Sequence, residues 1–146
     1  MFRVEVSIKA GFPEPRGEGL QKDIQDLGIT TVEKAKVTDI YLLEGSLNEE
    51  EVRRICRELL VDPVVEEYSY GEASITGVED SDVRVIEVAY NPGVMDPVEE
   101  SVKKGILDLG IATVDSVKTA KSYYLWGELS EDTLQSICDK LLVNSV

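Results

Sequence analysis

The chain has 146 residues, 42% of them apolar, which suffices for one ordinary domain or two very small ones with a packed core. Lysine and arginine total 15 against 29 acidic residues, a net charge of −14, so no basic stripe exists to neutralise phosphates; a nucleic-acid partner and an anionic membrane surface are both disfavoured. There is no histidine, which removes the commonest general base and the commonest metal ligand together.

Residues 5–64 align with residues 87–146 without a gap. Among the matched pairs are Glu5 with Glu87, Gly11 with Gly93, Pro15 with Pro97, Tyr41 with Tyr123 and Gly45 with Gly127. The runs Asp26-Leu27-Gly28-Ile29 and Asp108-Leu109-Gly110-Ile111 match as well, as do Leu59-Leu60-Val61 and Leu141-Leu142-Val143. The chain is therefore an internal duplication. Its expected organisation is a first repeat over 1–70, a linker over 71–82 with the polar sequence GEASITGVEDSD, and a second repeat over 83–146.

Each repeat opens with a strand. Val4, Val6 and Ile8 alternate with Arg3, Glu5, Ser7 and Lys9, and Ile86, Val88 and Tyr90 repeat the pattern. A loop of glycine and proline follows. In the second repeat Asp96 is placed to cap a helix starting at Pro97, with Glu99 closing a capping box. In the first, Glu14 before Pro15 is a weaker cap, and Gly17 and Gly19 loosen the helix start. Leu20, Ile24 and Leu27 share one helix face, as do Val102, Ile106 and Leu109; Gly28 and Gly110 then stop the helices.

Two short strands are predicted next, 31–37 and 40–44, and again 113–119 and 122–126, with turns at Thr38-Asp39 and Ala120-Lys121. The second helix carries the clearest signals. Asn48 caps it, Glu51 closes the capping box, and Leu47 staples onto Val52. Val52, Ile55, Cys56, Leu59 and Leu60 form its apolar stripe. Ser130, Leu129 with Leu134, and Ile137, Cys138, Leu141 and Leu142 repeat those roles. Pro63 then introduces a strand over 64–70, whose counterpart has only begun where the sequence reaches Val146. The expected fold is α+β: two β-α-β-β-α-β repeats with antiparallel sheets, each marginal alone, packed as an internal pseudo-dimer about an approximate two-fold axis.

Residues able to carry chemistry are sparse. The sequence holds no nucleophile–base pair, phosphate loop, dinucleotide fingerprint or metal-ligand spacing, so no catalytic, cofactor-binding or metal-binding residue is expected. Asp23 and Asp26 stand one helical turn apart, but the second repeat has Gly105 and Asp108 there, which favours an exposed charged face over an acid/base pair. Only Arg16 lies near the first helix start, so a phosphate cradle there would rest on the helix dipole. Cys56 and Cys138 occupy matching positions on apolar helix faces and read as core residues. Alternation sends Tyr124 and Trp126 to one side of a strand and Tyr123 to the other; one side is core and the other can pack on the sister repeat or a partner. No apolar run approaches the roughly 18 residues of a membrane span, and the start MFRVEVSIK is not a signal peptide, so a cytoplasmic protein is expected.

The stretch ICRELLVDPVVEEYSY (55–70) and its partial copy ICDKLLVNSV (137–146) resemble the C-terminal signature of the PurS family, the small subunit of phosphoribosylformylglycinamidine synthase. The Met95-Asp96-Pro97 helix start and the Leu109-Gly110 stop are similar to the same family's first helix. The resemblance covers nearly the whole chain, twice. It implies a ferredoxin-like fold and a non-catalytic module with no cofactor. That module bridges a glutaminase subunit (PurQ) and an ATP-dependent synthetase subunit (PurL) in purine biosynthesis and supports ammonia transfer between them. It also implies that the repeats pair as a PurS dimer does, and that the chain resembles the N-terminal region of a fused synthetase, so that a synthetase is expected beyond Val146. A different class of reading is a regulatory tandem domain that binds a small molecule such as an amino acid.

Overall fold

The computed structural model describes residues 1–72, 83–89 and 97–142. The expected cap at Asp96, the residues Tyr90 and Gly93, most of the linker, and the start of a last strand at 143–146 lie outside the described residues. In chain order the elements are β1 (Phe2–Ile8), α1 (Pro15–Asp26), β2 (Val32–Gly45), α2 (Glu49–Ile55), β3 (Glu66–Glu72), β4 (Val83–Ala89), α3 (Pro97–Asp108), β5 (Val114–Gly127) and α4 (Glu131–Ile137). A five-residue π-helical turn extends α2 over Cys56–Leu60 and α4 over Cys138–Leu142. Under the alignment of the repeats α1 matches α3, β2 matches β5 and α2 matches α4, each residue for residue.

The middle of each repeat differs from expectation. The predicted turns at Thr38-Asp39 and Ala120-Lys121 do not form, and the two middle strands run on as the single 14-residue strands β2 and β5. Neither dipeptide offers the glycine or asparagine that a tight hairpin needs, and every positive φ among the described residues belongs to a glycine elsewhere. Thr38 is instead buried within the strand, where its hydroxyl donates to Glu5 Oε2 at 2.7 Å. The two halves of each long strand then serve different compact units. Residues 38–45 of β2 and 114–121 of β5 belong to a first unit; residues 32–37 and 122–127 belong to a second. The order of strands and helices in each repeat is kept, with the two middle strands joined end to end.

The first unit holds β1, α2, β3 and α3 with its halves of β2 and β5. Its sheet runs β3-β1-β2-β5. β1 pairs antiparallel with β2, setting Val4 opposite Tyr41, and with β3, setting Val4 opposite Tyr70. The core joins Val4 and Val6 of β1, Leu43 of β2, Val52, Ile55 and Cys56 from the α2 segment, Val102 and Ile106 of α3, and Val114 and Val117 of β5. Full burial of each such side chain contributes about 1.5–3 kcal/mol. The capping box of α2 is formed: Glu51 N–H donates to Asn48 Oδ1 at 2.8 Å, and Asn48 N–H donates to Glu51 Oε1 at 3.1 Å. After the π turn, Asp62 accepts from Val64 N–H through Oδ1 and from Glu66 N–H through its carbonyl, at 3.0 and 2.8 Å. That turn delays β3 to Glu66, two residues later than the spacing predicts.

The second unit holds α1, α4 and residues 83–88 of β4 with its halves of β2 and β5. Its sheet runs β2-β5-β4. Leu20 and Ile24 of α1, Val32, Ala35 and Val37 of β2, Leu125 of β5, and Ile137 and Leu142 from the α4 segment make its core, with Ile86, Val88 and Tyr123 packed on it. Ser130 caps α4, accepting from Thr133 N–H at 3.2 Å. Glu14 makes no side-chain cap on α1, in keeping with its weaker capping chemistry. Each unit thus takes a helix from each repeat.

Candidate functional site

The two cysteines and the Asp23–Asp26 pair lie apart from one another in character and burial. Cys56 is fully buried in the first unit, and desolvation pushes its thiol up to about 12. Cys138 is part-buried in the second unit; desolvation and then the charge of Asp139 raise its thiol as well. A thiol held protonated is a poor nucleophile and a poor metal ligand. Asp23 and Asp26 are both exposed on α1, in the place of a solvated charged face. Among the described residues no group of three or more histidine, cysteine, aspartate or glutamate side chains is placed to hold a metal ion.

The start of α1 does not form an anion cradle. Arg16 turns to the strand and donates to the Val37 carbonyl at 3.4 Å. The carboxylate oxygens of Glu14 are buried at the same helix start. Gly17 provides their room, since a Cβ there would meet both the Ala35 carbonyl oxygen and Glu14 Oε2.

The second unit carries an open groove of about 550 Å³ bordered by Thr31, Arg84, Leu129, Ser130 and Thr133. Its one guanidinium is engaged: Arg84 pairs with Glu131 at 3.1 Å and donates to the Leu129 carbonyl at 3.5 Å. The groove escaped the sequence reading because Arg84 and Glu131 meet only through folding.

The sheet face turned away from the helices is the other candidate. In the first unit Arg3 lies 4.0 Å from Glu5, which also accepts from Thr38, and Ser116 donates to Glu44 at 3.1 Å. In the second unit Tyr123 packs on the core, whereas Tyr124 and Trp126 stack with ring centroids 6.1 Å apart. Lys34 Nζ stands 5.0 Å from the centre of the Trp126 ring. Alternation along β5 makes the two aromatic rings legible in the sequence. Their lysine is not, because it comes from the other repeat.

Comparison with known proteins decides the family. The model of "PurS: Phosphoribosylformylglycinamidine (FGAM) synthase" matches residues 1–73 and again 83–146. The chain belongs to the PurS family. It is similar to the PurS subunit of phosphoribosylformylglycinamidine synthase from Thermotoga maritima, 33% identical over 76 residues, covering 49% of this chain and 93% of that protein. It is also similar to the Methanocaldococcus jannaschii subunit, 34% identical over 71 residues, covering 44% of this chain and 84% of that one. The crystal structure of M. jannaschii PurS, a subunit of formylglycinamide ribonucleotide amidotransferase, aligns at 27% identity with a TM-score of 0.44, covering 49% of this chain and 94% of that one. The Thermotoga maritima and M. jannaschii subunits each match about half of this chain, the length of one repeat, and the family model matches it twice. PurS is the non-catalytic component of a purine-biosynthetic ligase. No helix among the described residues is long and apolar enough to cross a membrane.

Proposed function

We propose that this chain is the bridging module of phosphoribosylformylglycinamidine synthase in de novo purine biosynthesis. It joins the glutaminase (PurQ) to the synthetase (PurL) in the cytoplasm, and it supports passage of ammonia from one to the other. It supplies no reacting group. The observation that carries the reading is the double match to the PurS family, over 1–73 and 83–146. The duplicated fold adds support: each compact unit is built from both repeats, so one chain provides the paired arrangement that two separate copies would otherwise have to assemble. On this reading the repeats 1–70 and 83–146 are descendants of one ancestral subunit, joined through 71–82.

Co-expression with the glutaminase and synthetase subunits of the same genome tests the proposal. A three-component complex that survives size-exclusion chromatography with glutamine and ATP is the expected result. Migration of this chain apart from both subunits, under all nucleotide and glutamine conditions, would refute it.

A further inference from the structure

The two units carry matching elements but different chemistry on the sheet face turned away from the helices. In the first unit that face satisfies itself through the Arg3–Glu5 pair, the Thr38 hydroxyl on Glu5 and the Ser116 hydroxyl on Glu44. The positions that match Arg3, Leu42, Glu44 and Ser116 in the second unit are Val85, Tyr124, Trp126 and Lys34. Each replacement puts an aromatic, a cation or an apolar side chain where the first unit has a charged, hydroxyl or aliphatic one. Val85 is 40% exposed, Tyr124 and Trp126 are only part-buried, and Lys34 is exposed. Lys36 shares the face with Lys34 by strand alternation.

We propose that this face of the second unit docks a protein partner through an apolar side chain flanked by carboxylates. The inference rests on the bridging function and names the surface that performs it. Tryptophan and tyrosine are the residue types on which interface energy concentrates, and here they are already stacked. Lys34 is held over the indole, so little of its side-chain freedom is left to lose when it receives a carboxylate. Lys34 and Lys36 outnumber the one carboxylate that shares the face, Glu87, so in a chain of net charge −14 this aromatic patch is a local exception that an acidic partner surface can approach. A second copy of this chain stacked by the same face would set Lys34 and Lys36 against themselves, so the occupant is a different protein.

The test is the affinity of the full chain for the purified glutaminase and synthetase subunits, measured by biolayer interferometry at low and high salt. Trp126→Ala is expected to weaken binding about thirtyfold, the scale of an interface hot spot. Lys34→Glu, on an exposed side chain that the fold does not need, is expected to weaken it about tenfold and to flatten its salt dependence. Leu42→Ala, at the matching place in the first unit, is expected to change affinity less than about twofold. Unchanged affinity in Trp126→Ala and Lys34→Glu, with wild-type binding intact, overturns the docking face and leaves the bridging function standing. An equal loss in Leu42→Ala overturns the assignment to the second unit. Absence of wild-type binding overturns the bridging function and the docking face together.

Discussion

Val52 comes from the first repeat and Ile106 from the second, and both lie fully buried in one hydrophobic core. The second core mirrors this, with Ile24 from the first repeat and Ile137 from the second. Neither repeat owns a core. Fusing two copies in one chain makes the exchanged partner permanently available, so that the fold no longer depends on protomer concentration.

This sharing predicts where damage travels. Ile106→Ala removes buried side-chain volume and is expected to cost about 2–5 kcal/mol in denaturant unfolding. Hydrogen exchange locates the loss. Amides of β1 and α2, in the other repeat, should lose more protection than amides of α4, in the same repeat. Greater loss in α4 would contradict the shared core.

The same relationship bears on an isolated repeat. Residues 1–75 contain α2 and β1 for one core and α1 for the other. Expressed alone, this piece should form a homodimer by light scattering, or fail to fold at low concentration. A stable folded monomer would contradict the exchange.

Cys56 links stability to alkaline pH. Below the ordinary thiol value of 9.0 it is protonated folded and unfolded, and its burial costs no ionisation energy. Above that value the unfolded thiol ionises while the folded one stays protonated to about 12, so the unfolded state binds fewer protons and stability falls as pH rises between the two. The melting temperature of the wild type should therefore fall more steeply from pH 9 to pH 11 than that of Cys56→Ala. Parallel slopes would show that other groups control the alkaline loss. In the folded protein, Cys56 should also resist iodoacetamide at pH 8, where the denatured chain reacts at both thiols.

Gly45 and Gly127 end β2 and β5 at φ of +141° and +131°, a region that side chains rarely enter. In the first unit a Cβ on Gly45 would strike the Thr113 carbonyl oxygen; in the second, one on Gly127 would strike that of Thr31. Each glycine lets neighbouring strands close at its own end of the sheet. Gly45→Ala and Gly127→Ala should each destabilise by more than about 1 kcal/mol in chemical denaturation. Gly19→Ala, in α1 with open space around it, should be neutral or stabilising.

What the sequence revealed and what it hid divide along local and distant causes. The stops at Gly28 and Gly110, the Asn48–Glu51 box and the stripe from Val52 to Cys56 depend on residues within a turn or two, and all are where their spacing places them. The break at Thr38-Asp39 is absent because strand pairing and the Glu5 carboxylate, far away in the chain, hold that dipeptide extended. The assignment of α1 and α2 to different cores has no local signature at all. Either helix could bury its stripe against its own repeat or the other, and only the continuity of β2 decides. The proposed docking face was half visible: Tyr124 and Trp126 alternate away from the core, but Lys34 reaches Trp126 only through the pairing of β2 with β5.

As the proposed bridge, this chain would couple glutamine hydrolysis to amidine formation while supplying no reacting group itself. The measurement is the rate of formylglycinamidine ribonucleotide synthesis by the glutaminase and synthetase subunits, with and without this chain, using either glutamine or ammonium as nitrogen donor. Omission is expected to abolish the glutamine-dependent rate and to leave the ammonium-dependent rate of the synthetase in place. A glutamine-dependent rate that is unaffected by omission would contradict the bridging role.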